Sequence, residues 1–359
     1  MAYSDMFSYN IGLLGPSGIG KTSLLTSIIL QMQSFQQRAG LSCNIYPSTA
    51  DTERKIRDAR GQFDRAVSMR EFTPIPGSSE SMKFEVRFEM TNGDCGERLD
   101  IDFVDYRGGD LLKDFSDIER SDWYRKMMAS KDLFLPIDAV TVMEYVRTRD
   151  AQMLGTLSLE RICEIIQKWV AQIKDDAPYT IAFVPIKTET YVARGQMNEL
   201  KQAIHDLYYS PVCSLLSAKR NLIVQYNPVE TYGCVVLDST EWDPPSLIQH
   251  FKIVRDSSDQ KVVPHISGAA NLMLAIFRKR FAANLNAFER RIRELNLKLD
   301  VKNPILRWMI EHLPIVRRGV KDELARLIAK KEYYGDLVAQ MMTAFDSSHA
   351  EIWKEMEMA

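Results

Sequence analysis

Gly15, Gly18, Gly20, Lys21 and Thr22 stand at the spacing G-x-x-x-x-G-K-[ST]. These residue types suit the holding of a chain of phosphates. Backbone N–H groups at the start of a helix can surround crowded negative charge, and the glycines permit the close approach that this needs. Lys21 supplies a point charge between the β- and γ-phosphates, and the Thr22 hydroxyl is placed to ligate Mg²⁺. Pro16, Ser17, Ile19 and Ser23 complete the segment expected to touch a nucleotide. A second candidate is D-x-x-G at Asp105 and Gly108. An acid at the carboxyl end of a strand can hold Mg²⁺ through water, while Gly108 turns its N–H toward the γ-phosphate.

The elements that must position these residues follow from periodicity. An apolar strand over 9–14 runs into the glycine-rich loop, and Leu24, Leu25, Ile28, Ile29 and Met32 then recur at helical spacing. Residues 33–82 read as polar, irregular and rich in arginine (54, 57, 60, 65 and 70 among them), with a helix over 50–67 and the breaker run FTPIPGSSES. Phe84, Val86, Phe88 and Met90 alternate with Glu85, Arg87 and Glu89. After Thr91-Asn92-Gly93-Asp94, Leu99, Ile101 and Phe103 alternate with Asp100 and Asp102, so an antiparallel hairpin is expected, ending at Asp105. Further strands are expected over 132–142, with Asp138 at the end, over 179–185 and over 221–226. Helices are expected over 157–173 and 196–209. Alternating strands and helices predict an α/β fold whose mostly parallel sheet has helices on both faces and its site loops at the strands' carboxyl ends.

From 268 onward the composition shifts. Met273, Phe277, Phe281, Leu285, Phe288, Ile292, Leu295 and Leu299 recur at threes and fours. A break at 300–304 and helices from Pro304 and from about Lys321 to the end complete a C-terminal α-helical appendage. The division expected is 1–265 for the nucleotide-binding domain, with an insert over about 36–82, and 266–359 for the helical region. Packing on the core is one use for that region's apolar stripe; self-association or a partner protein is another.

The totals narrow the classes. With 359 residues, 45% of them hydrophobic, the chain can bury a sizeable core; a net charge of -2 offers nothing to a nucleic acid. Five cysteines without paired spacing read as reduced thiols. No secretory leader pattern and no membrane span is expected, which favours a cytoplasmic protein.

Taken together, GPSGIGKT over 15–22, the hairpin, DYRG over 105–108 and IKTE over 186–189 resemble the Ras-like and translation-factor class of P-loop GTPases. The likeness covers about 9–235. VDYRGG, PIKTET and NPVETYG more narrowly resemble the bacterial double-GTPase group of conflict-system operons. The resemblance implies GTP and GDP as ligands, Mg²⁺ as cofactor and a hydrolysing switch in a bacterial defence or signalling system. It puts a switch in the insert, where Thr73, Ser78 and Ser79 are the hydroxyls for Mg²⁺ and the γ-phosphate. Its base-reading loop, usually N-K-x-D, falls on 186–189: Lys187 matches, while Glu189 replaces the aspartate and Ile186 the asparagine. Val229 lies in the loop expected to support the base from the other side. Gly109 stands where many members carry a water-orienting glutamine, so slow hydrolysis is implied unless a partner, Arg107, Asp110 or an insert arginine substitutes. A nucleotide-binding scaffold with little turnover, able to accept ATP and acting through its helical tail, is the other reading. A P-loop kinase is disfavoured by the hairpin.

Overall fold

Strands covered on both faces have no polar side, so they form from unbroken apolar runs. β6 (Asp132–Asp138) and β7 (Tyr179–Ile186) are such strands, nearly every residue of them buried. The computed structural model describes residues 6–39, 43–69, 71–72, 82–92, 95–105, 111, 113–174, 177–243, 246–254, 265–299, 314–344 and 351–354. Within it β1 (Met6–Leu13) pairs in parallel with β6 on one side and with β5 (Cys95–Asp105) on the other; β8 (Leu222–Tyr226) lies parallel to β7. All these strands therefore end at the same edge of the sheet.

The expected hairpin is present. β4 (Met82–Asn92) pairs antiparallel with β5, with Asn92 opposite Cys95. Phe84, Val86, Phe88, Ile101 and Phe103 are buried, while on the other face Arg87 bonds its cross-strand neighbour Asp100 at 2.6 Å. Two edge strands were not anticipated. β2 (Cys43–Pro47) adds antiparallel to β4, inside the stretch read as irregular, and β11 (Glu351–Lys354) adds antiparallel to β8. The order is β11-β8-β7-β6-β1-β5-β4-β2. A second sheet, β3-β10-β9, is built from β3 (Glu71–Phe72), β9 (Val235–Asp243) and β10 (Ser246–Ile253).

Helices cover both faces. α1 (Lys21–Ala39) and the first half of α11 (Ala269–Leu299) pack on one, where Leu25, Ile28, Phe88, Phe103, Phe277 and Phe281 share a cluster. On the other, α4 (Asp122–Met128), α5 (Ala139–Thr148), α7 (Leu159–Ala171) and α9 (Met197–Ile204) bury Met127, Val142, Trp169 and Ile204 against β6 and β7. Short helices α3 (Phe115–Arg120), α6 (Ala151–Leu157), α8 (Glu189–Ala193) and α10 (Cys213–Ser217) fill the connections. α2 (Ala50–Met69) matches the helix expected in the insert.

Two boundaries differ from expectation for local physical reasons. β6 stops at Asp138, not Val142, because the Asp138 carboxylate accepts from the Val140 and Thr141 amides at 3.0 and 3.4 Å and so starts α5. α12 (Pro314–Ala344) also stops short of the C-terminus. Beyond it β11 is held by Trp353, which stacks on Tyr226 at 5.2 Å, and by Lys354, whose ammonium donates to the carbonyls of Leu216, Lys219 and Leu222.

Of the stripe on α11, Met273, Phe277, Phe281, Leu285, Phe288 and Leu295 are buried or partly buried within the chain. Its first half faces the sheet; farther along, Phe288 meets Tyr334 of α12, and Arg291–Glu323 and Lys331–Glu289 pair across the two antiparallel helices. α11 also carries Lys279, which reaches the amino ends of β6 and β7 to bond Asp132 and Thr180, all three buried. Among the described residues no helix is long and apolar enough to cross a membrane, and Cys163, Cys213 and Cys234 are free thiols.

Candidate functional site

The loop between β1 and α1 has the conformation that its glycines suggested. Gly18 and Gly20 have φ of +74° and +105°. At Gly20 that angle is one that L side chains rarely adopt, and a Cβ there would press on Ile186 Cδ1 at 3.0 Å. Gly15 is equally confined: a Cβ there would meet Ile19 Cδ1 at 2.5 Å and the Pro136 carbonyl at 2.9 Å. Ile19 is buried and anchors the loop from within, while Ser17 and Gly18 are exposed at its crest. The chain folds around the Lys21 ammonium, which is buried and donates to the carbonyls of Gly15 at 3.0 Å and Pro16 at 3.2 Å. Helical bonding begins at once, with the Leu24 amide on the Gly20 carbonyl at 2.9 Å, so the amides before it stand at a helix N-terminus, beyond the reach of intrahelical carbonyls.

Parallel pairing sets the neighbours of this loop. Asp105 partners Leu13 at the carboxyl end of β5, so its backbone lies beside the strand that enters the loop. Thr22 and Ser23 are half-buried in the first turn of α1. The Asp105 side chain, Gly108, Arg107, Gly109 and Asp110, and the hydroxyl candidates Thr73, Ser78 and Ser79 lie outside the described residues.

The segment expected to read the base has other partners. Lys187, in the left-handed region at φ +60°, donates to Asp138 Oδ2 and to Gln249 Oε1 of β10, both at 2.8 Å. Gln249 Nε2 closes the ring on Asp138 Oδ2 at 2.8 Å. The second sheet is thereby fastened over the carboxyl ends of β6 and β7. Glu189 is buried, and its Oε1 accepts from the Tyr232 amide at 3.0 Å, the Gly233 amide at 3.3 Å and the Thr231 hydroxyl at 3.3 Å. Burial raises its carboxyl above the usual value, against the lowering by the Tyr232 and Gly233 amides and its own. Val229 is fully buried and its amide bonds the Pro185 carbonyl at 2.8 Å, prolonging the β7 and β8 pairing.

From this loop two bonds return to α1: Ser27 Oγ donates to the Thr231 carbonyl at 3.1 Å, and the Tyr232 hydroxyl donates to Ser23 Oγ at 3.4 Å. A continuous chain of contacts thus links Glu189, the 231–233 loop and the helix that begins with Lys21. Beside it opens a cavity of about 340 Å³, with α1 on one wall, Ala59, Arg60 and Asp64 of α2 on another, and Tyr232 and Ile266 behind. Asp138, Gln249, Ser27 and Tyr232 were not singled out as site residues. Asp138 had a visible signal, an acid at a strand end; Gln249 had none, because its contacts Lys187 and Asp138 lie 62 and 111 residues away. No protein-family model matches the sequence, and no curated protein matches it.

Proposed function

We propose that this chain binds GTP with Mg²⁺ on the 15–22 loop and hydrolyses it slowly, as a nucleotide-dependent switch. One observation carries the reading: the backbone from Gly15 to Lys21 curls around an ammonium, with two glycines at positive φ and a helix starting at its end. A triphosphate suits such a turn, because an ammonium and the amides at a helix N-terminus are the groups that neutralise crowded phosphate charge. On binding, Lys21 exchanges the carbonyls of its own loop for phosphate oxygens.

Water then attacks the γ-phosphate in line, and Lys21 and the loop amides neutralise charge as it spreads over the phosphoryl oxygens. Thr22 and, through water, Asp105 are the residues to hold Mg²⁺, with Thr73 from the insert; the ion supplies further charge neutralisation when bound. Gly109 cannot orient the water, which makes turnover slow without a partner. Guanine as the base, and a role in bacterial defence or signalling, rest on the resemblance of 186–189 and 105–109 alone. Of those residues, Glu189 gives its Oε1 to the 231–233 loop.

Calorimetric titration with GTP, GDP and ATP in Mg²⁺ tests the ligand. Lys21→Ala is expected to weaken triphosphate binding about 100-fold or more, since a contact of an ammonium with phosphate is worth roughly 2–3 kcal/mol or above. Wild-type affinity in that variant would move the site elsewhere. Multiple-turnover phosphate release separates the switch from a scaffold that binds and does not hydrolyse.

A further inference from the structure

The cavity between α1 and α2 is walled, Ser23 apart, by residues that no step above employs. Ser23, Thr26, Ser27 and Leu30 recur at threes and fours, so they share one face of α1, and that face forms one wall for two turns. It starts one residue after Thr22, where the phosphate-binding loop ends. Thr26 is 6% exposed, and its buried hydroxyl has no hydrogen-bond partner. A buried hydroxyl without a partner is costly, and natural structures keep few of them. The wall of α1 is hydroxylic; Leu30, Ala59 and Ile266 are apolar, and Tyr232 adds an aromatic ring. Its volume of about 340 Å³ is within the range of small-molecule sites, roughly 300–1,000 Å³.

We infer that this cavity receives the purine base of the nucleotide, read by the Thr26 hydroxyl after a turn about χ1 brings it from its buried position into the cavity, and enclosed by α2. The inference rests on the reading of the 15–22 loop as the triphosphate site. A flat heteroaromatic ring matches the lining: its faces need apolar or aromatic cover, and its edge carries donors and acceptors for a hydroxyl. It also accounts for base recognition while Glu189 is committed to the 231–233 loop. Arg60 and Asp64 flank the same space from α2, the helix of the insert. A base bound there touches the insert directly, so the insert is informed of occupancy through the nucleoside as well as through the phosphates.

Inorganic tripolyphosphate separates the two sites, because it can occupy the loop and has nothing to place in the cavity. Titrations of GTP, GDP, ATP and tripolyphosphate, all with Mg²⁺, are compared in wild type, Lys21→Ala, Ala59→Leu and Thr26→Val. Ala59→Leu fills the cavity; Thr26→Val removes the hydroxyl at nearly constant shape and keeps the test open if the larger residue disturbs folding. Expected are a loss of about tenfold or more for nucleotides in Ala59→Leu and about threefold to tenfold in Thr26→Val, with tripolyphosphate within twofold in both. Unequal losses for GTP and ATP in Thr26→Val identify the base that the hydroxyl reads. Nucleotide affinities unchanged in both cavity variants, alongside the loss of about 100-fold or more in Lys21→Ala, would overturn the inference and leave the loop reading intact. Equal losses of nucleotide and tripolyphosphate in the cavity variants would also overturn it. If wild type binds neither ligand, both readings fall.

Discussion

Two buried lysines lie at opposite edges of the same sheet and are held in opposite ways. Lys21 is 7% exposed and donates to carbonyls five and six residues before it. Lys279 is 5% exposed and donates to Asp132 and Thr180, 147 and 99 residues away. The first is wrapped by its own loop, with backbone carbonyls that water or phosphate oxygens can replace. The second is one half of a charge pair sealed between a helix and two strands. A buried ammonium therefore marks a binding site or a structural lock according to whether its partners are local and exchangeable or distant and charged.

The contrast is broken or sharpened most strongly at Lys279. Lys279→Ala leaves the Asp132 carboxylate buried without its cation and is expected to cost about 3–5 kcal/mol in urea denaturation. The folded fraction should still bind nucleotide. Asp132→Leu combined with Lys279→Met should recover most of the loss, because replacing a whole buried pair with apolar residues is often neutral. A double variant as unstable as the single one would show that the pair does more than fill space.

Gly20→Ala tests the other edge. With φ at +105° and Ile186 3.0 Å from the new methyl, the strain should cost about 1–3 kcal/mol and reshape the loop around Lys21. Triphosphate affinity should then fall far more than stability. A proportionate fall in both would make the loop an ordinary turn.

Glu189→Gln is expected to have the smallest effect on stability, roughly 1 kcal/mol or less. The carboxyl's folded value lies above its ordinary 4.5, so its contribution to stability is whole below about pH 4.5 and is lost as pH rises through the folded value. Glutamine keeps an oxygen for the Tyr232 and Gly233 amides without that burden. Melting temperatures should match wild type near pH 4, and the variant should be equal or higher at pH 7. Nucleotide affinity should stay within threefold; a hundredfold loss at unchanged stability would return base reading to Glu189.

These contrasts follow what the sequence discloses. The strand, glycine loop and helix over 9–32 are legible because each contact that shapes them spans a few residues. The hairpin of β4 and β5 is legible for the same reason, its two strands joined by a short turn. β2 and β11 were missed because they are short and acquire their hydrogen bonds from strands already in place. The second sheet was missed because β9 alternates weakly, and β3 is two residues long and pairs with β10 about 180 positions later. The likeness of 186–189 to a base-reading loop named the residues, and it said nothing of what Glu189 would meet.

By itself the sequence determined which residues can bend around phosphates, where the parallel strands run, and which stripe of α11 must be covered. Spacing along one strand, turn or helix decides those matters, since neighbours in the chain are neighbours in space. Only the tertiary structure decided that Lys187 and Gln249 converge on Asp138, that Glu189 supports the 231–233 loop, and that α2 closes a cavity over Thr26. Those contacts depend on how separate elements pack, and packing juxtaposes residues whose distance along the chain carries no trace of their meeting.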